Sequence, residues 1–472
     1  MAIATNEPKP ELVSAGYLSP YQVQDLPESP SLKQSLGITV IVSAMAIGSG
    51  ELILWPRLMS LYGGKIFWIA LMGIFVQYWM LAEISRYTLA TGESIFTGFS
   101  RMWPGPTFWA TVWLAVVIIT NILPAFVATA ATALYAATKF GSWAFWAYGG
   151  YVLVLIALTG GKVVNKVVGT LSWIATLTIF FGLLIAAFFT VKASNVAELA
   201  VGAVSIGYVP PKMDWFLLLG ALAYAGTGAP YFHSLWLKDA QLGMGKYVGR
   251  ITGFTAQSEY IPQTGYIPRE TPENISRWKK LMSNVYKEGV IVWGILCVGT
   301  IALFALLSLA VLRPQGLVPQ GAQVAVVQAE FFRKMGGDVG VFVFLLAAFA
   351  TLFSTQLGVT DGMARGVTDI YYSQFAKKDQ KVDVSKIYYI FLAVFSVIAF
   401  LTMQWKSPLM LVIISAVLAA GALALLCPSL IYINLKFLPK SYRPGPVPLI
   451  FMGIATAFYW IFLIVTIYQY IK

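Results

Sequence analysis

The stretch ITVIVSAMAIGSGELILWPRLMSLYGG, residues 38–64, decides the fold. It is long and apolar enough to cross a bilayer, which takes about 20 mostly apolar residues. Yet Gly48-Ser49-Gly50 interrupts it at mid-depth, and a carboxylate, Glu51, follows at once. A second stretch, WFLLLGALAYAGTGAPYFHSLWL at 215–237, has the same design, with Gly226-Thr227-Gly228-Ala229-Pro230 near its centre. One interruption alone would read as glycine easing helix packing. Two at matching depth, five spans apart and running in opposite directions, predict an inverted repeat whose discontinuous helices 1 and 6 meet at the bilayer midplane.

Working outward, the chain is 58% hydrophobic and only 11% charged, against roughly 25% charged in soluble domains. No sizeable water-soluble domain fits. Eleven spans are expected, at approximately 36–60, 65–90, 106–137, 142–160, 168–191, 214–237, 288–312, 338–366, 385–404, 408–434 and 447–470. Lipid cannot satisfy backbone groups and the runs lack the period-2 alternation of a membrane barrel, so the class is all-α integral membrane.

The net charge of +12 fits cationic loops facing anionic lipid, and no compact basic domain speaks for nucleic acid. Lys and Arg concentrate on the segments that an inside amino terminus would place in the cytoplasm. That bias predicts a bacterial inner (plasma) membrane protein with its amino terminus cytoplasmic and its carboxyl terminus outside. The two cysteines, Cys297 and Cys427, lie in apolar segments and read as free thiols.

Residues 1–35 are polar, without an apolar signal core, and read as a cytosolic tail. Spans one to five occupy 36–191, and an outer loop with the broken sixth span 192–237. A basic cytoplasmic loop follows at 238–287, with a Gly/Pro/Thr-rich stretch before an amphipathic lead-in helix. Spans seven to ten fill 288–434, and the eleventh span with the carboxyl terminus 435–472.

The breaks are the candidate site, because unwound backbone frees carbonyls for cations and half-helix amino termini present N–H groups. The residues singled out are Gly48, Ser49, Gly50, Glu51, Gly226, Thr227, Ala229 and Tyr231. A mid-membrane carboxylate costs about 2.5–3.5 kcal/mol to insert. Complementing a helix dipole returns under about 1 kcal/mol, so Glu51 is expected to bind a cation or carry a proton. His233, the only histidine, could titrate near neutral pH or be a hydrogen-bonded structural group. Arg57 could pair with a carboxylate or reach the outer interface. Asn121 and Asp361 are candidates for an inner pathway, with Asp361 near the cytoplasmic end in a solvated position.

With these features the sequence resembles the NRAMP divalent-metal transporters of the LeuT-fold amino acid–polyamine–cation superfamily. The likeness covers nearly the whole chain and includes ATGES (Ala90–Ser94) and LFSTQLG (Leu352–Gly358). It implies a LeuT-like 5+5 inverted repeat and alternating access. The family's first helix carries Asp-Pro-Gly-Asn and its sixth Met-Pro-His; Gly48-Ser49-Gly50-Glu51 and Ala229-Pro230-Tyr231 stand there instead. The metal-binding Asp, Asn and Met thus become Gly48, Glu51 and Ala229, and a metal-binding carbonyl would fall at Gly226. Without the thioether, an oxygen-only set of Glu51, carbonyls and Ser49 or Thr227 suits a hard ion such as Mg²⁺ or Mn²⁺. The family's proton-coupling positions match Asn121, Pro124 and Tyr231, none of them acidic.

A divalent metal ion is therefore the expected substrate, with no cofactor and no enzymatic activity; Walker, zinc-spacing and nucleophile-elbow motifs are missing. The same superfamily's amino-acid transporters also begin with Gly-Ser-Gly in a broken first helix. A small organic solute is accordingly the other substrate class, and a non-transporting relative a third reading. The lipid bilayer is the expected partner, and the fold can work as a monomer.

Overall fold

The computed structural model describes residues 12–32, 50–248, 265–375 and 383–472, without the side chains of 161–169, 172, 173 and 375. Its helices follow the apolar runs. In order they are α1 (Trp55–Tyr62), α2 (Phe67–Thr91), α3 (Ile95–Ser100), α4 (Pro106–Asn121), α5 (Ala125–Thr138), α6 (Trp143–Thr159), α7 (Gly161–Thr190) and α8 (Ala193–Val204). Next come α9 (Trp215–Ala223), α10 (His233–Asp239), α11 (Pro272–Gly289), α12 (Val298–Leu307), α13 (Glu330–Phe375), α14 (Val384–Thr402), α15 (Pro408–Lys436) and α16 (Pro446–Ile471).

Sequence sets where these begin. Side-chain oxygens of Ser94, Ser142, Asp214, Thr271 and Asp383 accept the first free N–H groups of α3, α6, α9, α11 and α14, the usual answer to unpaired donors at a helix start. Proline opens α4, α11, α15 and α16, where its missing N–H costs nothing.

Among the described residues, seven helical stretches are long and apolar enough to cross a membrane: Gly64–Thr91, Pro106–Thr138, Pro272–Gln315, Gly321–Gln374, Val384–Thr402, Pro408–Lys436 and Pro446–Ile471. An eighth is made if Ile174–Thr190 and Ala193–Val204, bent by 119°, are taken together. Helix α6 is apolar but only 17 residues long. The first span is described only from Gly50, and the sixth consists of two short helices, α9 and α10. The architecture is the all-α membrane fold expected of the sequence. Helix α13 packs along α5, α7 and α4, α9 along α15, and α15 along α16.

Three features depart from the linear reading. The third span breaks at Ile122–Pro124 and resumes as α5, because proline removes a donor and crowds the preceding turn. The eighth span is longer than 338–366 and is interrupted at Gly337, with φ of +54°. The tail is not merely an extension. Strands β1 (Leu12–Val13) and β2 (Tyr21–Gln24) pair antiparallel, and β2 pairs in parallel with β3 (Tyr266–Pro268) just ahead of α11. The lead-in helix expected before span seven is α11, which continues through a π-helical stretch (Val290–Cys297) into α12.

Arg101 anchors the tail by donating to the carbonyls of Ala15 and Ser19 while pairing with Glu93, and its guanidinium covers the Tyr21 ring 4.0 Å from the centroid. Burial, with the nearby Glu93 charge adding to it, pushes the Tyr21 hydroxyl well above the ordinary tyrosine range.

Candidate functional site

The sixth span stops at Ala223 and restarts through a tight turn at Pro230–Phe232. Backbone groups freed inside a membrane must find partners, and Gln77 of α2 supplies them. Its side-chain oxygen accepts the Thr227 N–H at 2.8 Å, and its amide donates to the Ala223 carbonyl at 2.9 Å. The same amide reaches the Tyr459 hydroxyl at 3.1 Å. Gln77 therefore bridges both sides of the break.

The first span is described from Gly50, where a π-helical turn, Gly50–Leu54, leads into α1. Gly50 lies against the backbone of the other break: a Cβ there would sit 1.7 Å from the Tyr224 carbonyl oxygen. Only glycine permits that approach. Trp55 adds a link, its indole donating to the Ala221 carbonyl at 3.1 Å. The Leu52 carbonyl accepts from Gln328, a second glutamine holding broken-span backbone. Gln356 of α13 is the third, accepting the N–H groups of Phe126 and Val127 at the restart of the third span, at 3.2 and 3.3 Å.

Glu51 is 1% exposed. Neither carboxylate oxygen has a hydrogen-bond partner among the described residues, and the Cys297 thiol is its polar neighbour. Gly48 and Ser49 lie outside the described residues.

Beyond the break, the Tyr231 hydroxyl meets Thr120 Oγ1 at 2.9 Å and accepts from the Asn121 amide at 2.8 Å. Asn121 also donates to the Val117 carbonyl and to Thr120. This neutral cluster joins the third and sixth spans.

A cleft of roughly 950 Å³, counting its open mouth, lies beside the sixth-span break. Its lining includes Thr227, Ala229, His233, Glu288, Trp293 and Thr355. His233 is buried, its Nε2 3.1 Å from Ser85 Oγ, and its Nδ1 is without a partner among the described residues. Gly226 packs against the Trp293 ring, with room for no Cβ. Glu51 does not line this cleft, so the structure separates the two groups of candidate residues. Asp361 does not stand in water: it accepts from Arg365 at 2.8 Å and from the Tyr388 hydroxyl at 2.7 Å. Arg365 also pairs with Asp239 at the end of the sixth span. Arg57 donates to the Pro319 carbonyl.

Glu288 and the three glutamines went unmarked in the sequence. A polar side chain within an apolar run must find a partner or a cavity, and that expectation applies to Gln77, Gln356 and Glu288 alike. No group of three or more His, Cys, Asp or Glu side chains stands close enough to hold a metal ion among the described residues. Any cation at Glu51 would draw on backbone carbonyls and water as well.

An all-α membrane architecture with a broken sixth span held against the first, and a cleft beside it, is that of the LeuT fold. Two structures of the manganese transporter of Eremococcus coleocola share it. One, of a variant, is 13% identical, covers 98% of this chain and 92% of its own, and has a TM-score of 0.63. The other, in complex with an aromatic bis-isothiourea substituted compound, is 14% identical with the same coverage and a TM-score of 0.62. MhsT in complex with L-phenylalanine is similar at 12% identity, covering 94% of this chain and 99% of its own with a TM-score of 0.53. No protein-family model matches the chain, and no curated protein matches it.

Proposed function

We propose that the protein is a secondary transporter working by alternating access, and that its substrate is a divalent cation drawn to Glu51. One observation carries the reading: a fully buried carboxylate, without hydrogen-bond partners among the described residues, stands where the first span touches the break of the sixth. An isolated ionised carboxylate in low dielectric is costly, and a cation relieves that cost. A carboxylate ligand supports a hard ion such as Mg²⁺ or Mn²⁺.

On this reading spans one to five and six to ten form the inverted repeat, rocking about the junction. The Lys and Arg bias supports a cytoplasmic amino terminus in a bacterial inner membrane, with the carboxyl terminus outside. One molecule suffices.

The cleft supports a second reading. It is mostly apolar, with aromatic walls and a few polar groups, the usual make-up of a small-molecule site. An amino acid or other small organic solute would then be carried past His233 and Glu288.

Uptake into proteoliposomes separates the two. Divalent-ion quenching of an enclosed dye, abolished by Glu51→Gln, supports the cation. Entry of a labelled organic solute with no metal flux supports the cleft reading. A folded protein passing neither would count against transport altogether.

A further inference from the structure

The cleft beside the sixth-span break is walled by the rings of Tyr78, Phe232, Trp236 and Trp293. Among the described residues its lining holds one carboxylate, Glu288 near the end of α11, and no lysine or arginine. Glu288 is 4% exposed. The Tyr78 ring lies directly against Gly289, the next residue, so an aromatic surface stands beside the carboxylate.

His233 adds a second directed group, and its hydrogen bonds assign its proton. The Ser85 hydroxyl donates its one hydrogen to the Leu81 carbonyl at 2.8 Å, so toward His233 Nε2, at 3.1 Å, it can only accept. In the neutral ring Nε2 therefore carries the proton and Nδ1 keeps a bare lone pair. That nitrogen is buried, without a partner among the described residues, on a side chain that lines the cleft. The Thr355 hydroxyl likewise spends its hydrogen on the Thr351 carbonyl, at 3.0 Å, and can only accept from a ligand. Backbone donors at the break are largely taken. The N–H groups of Thr227, Ala229 and Phe232 bond Gln77, the Thr227 hydroxyl and the Ala229 carbonyl.

We propose that the cleft binds an organic ammonium, a protonated primary amine carrying an aromatic or other apolar body. The inference rests on the reading of the cleft as a small-molecule site and narrows its ligand to amines, against amino acids. The ammonium bonds the Glu288 carboxylate, which can accept several donors at once, and ring faces attract the same charge. The lone pairs of His233 and Thr355 take further N–H or O–H donors. A carboxylate on the ligand would meet no cationic side chain in this lining, and burying it unpaired is costly.

The test uses the purified full-length protein in detergent and tritiated phenethylamine, followed by scintillation proximity. Competition by L-phenylalanine, hydrocinnamate and phenethyl alcohol ranks the same body with a carboxylate added, with a carboxylate alone and with a neutral hydroxyl. The amine is expected to saturate at about one molecule per chain and to bind at least about tenfold more tightly than either carboxylate-bearing competitor. Glu288→Gln should weaken the amine at least about tenfold and leave phenethyl alcohol within about threefold. His233→Phe should weaken the amine about threefold or more. Size-exclusion profiles report whether the variants fold, and the ranking on the wild type needs no variant.

If L-phenylalanine binds as well as the amine and either variant weakens both, the ammonium class is wrong and the cleft remains a small-molecule site. If no member of the series binds, or none responds to either variant, the reading of the cleft as a site fails and the proposal falls with it.

Discussion

The two broken spans meet, yet they solve opposite problems. At the sixth, the backbone is satisfied: Gln77 takes the Thr227 N–H and gives to the Ala223 carbonyl, and the space beside it opens into a cleft. At the first, a carboxylate has no hydrogen-bond partner among the described residues, is buried, and does not line that cleft. Charge demand lies on one side of the junction and room on the other. On the proposed transport reading, the relative movement of spans one and six is where substrate would pass from charge to space.

The sharpest way to break this comparison is Gly50→Ala. The new methyl would meet backbone, not a flexible side chain, so the spans must part. Overpacking costs about 1–3 kcal/mol and more where backbone must move. We expect a large fall in melting temperature and loss of flux; a stable, active variant would show that the two breaks need not touch.

Gln77→Leu should come next, because it leaves a donor and an acceptor of the sixth span unbonded, at about 1–3 kcal/mol for the pair and less if lipid-exposed states find other partners. Thermal unfolding in detergent measures it. A neutral result would mean that water replaces the amide.

Tyr231→Phe should cost about 1 kcal/mol, from the lost contacts to Thr120 and Asn121, and leave the pH profile of uptake in place. A displaced profile would make the hydroxyl part of a proton path.

The smallest effect is expected far from both breaks. The Ser441 backbone N–H bonds Glu270 at 2.9 Å and, with Lys440 and Arg443 helping, holds its carboxyl below the ordinary range. A lowered carboxyl stabilises the fold above the unfolded value of about 4.3 and loses that contribution as pH falls through the folded one. Glu270→Gln should thus be slightly less stable than wild type at neutral pH and equal to it in acid, by paired melting curves, with flux unchanged.

Much of the frame was legible in the chain, since apolar runs and their interruptions are local signals. The glycine break of the sixth span, the lead-in helix and the membrane class follow from windows of about 20 residues. What joins the breaks did not follow. Gln77 reaches a partner 150 positions away, Gln356 one 230 away and Gln328 one 276 away, and no window contains both ends. The separation of Glu51 from the cleft is likewise a property of packing, as is the enclosure of Asp361 by Arg365 and Tyr388.

The small sheet carries a consequence for biogenesis. Strand β2 finds its parallel partner only at Tyr266–Pro268, and Leu26 bonds a side chain 248 positions further on. Pairings across such separations close slowly. During synthesis, strand β2 can pair with β1 at once, but its other edge must wait until Tyr266–Pro268 has been made, and that docking marks the moment at which the two halves of the chain are stitched together.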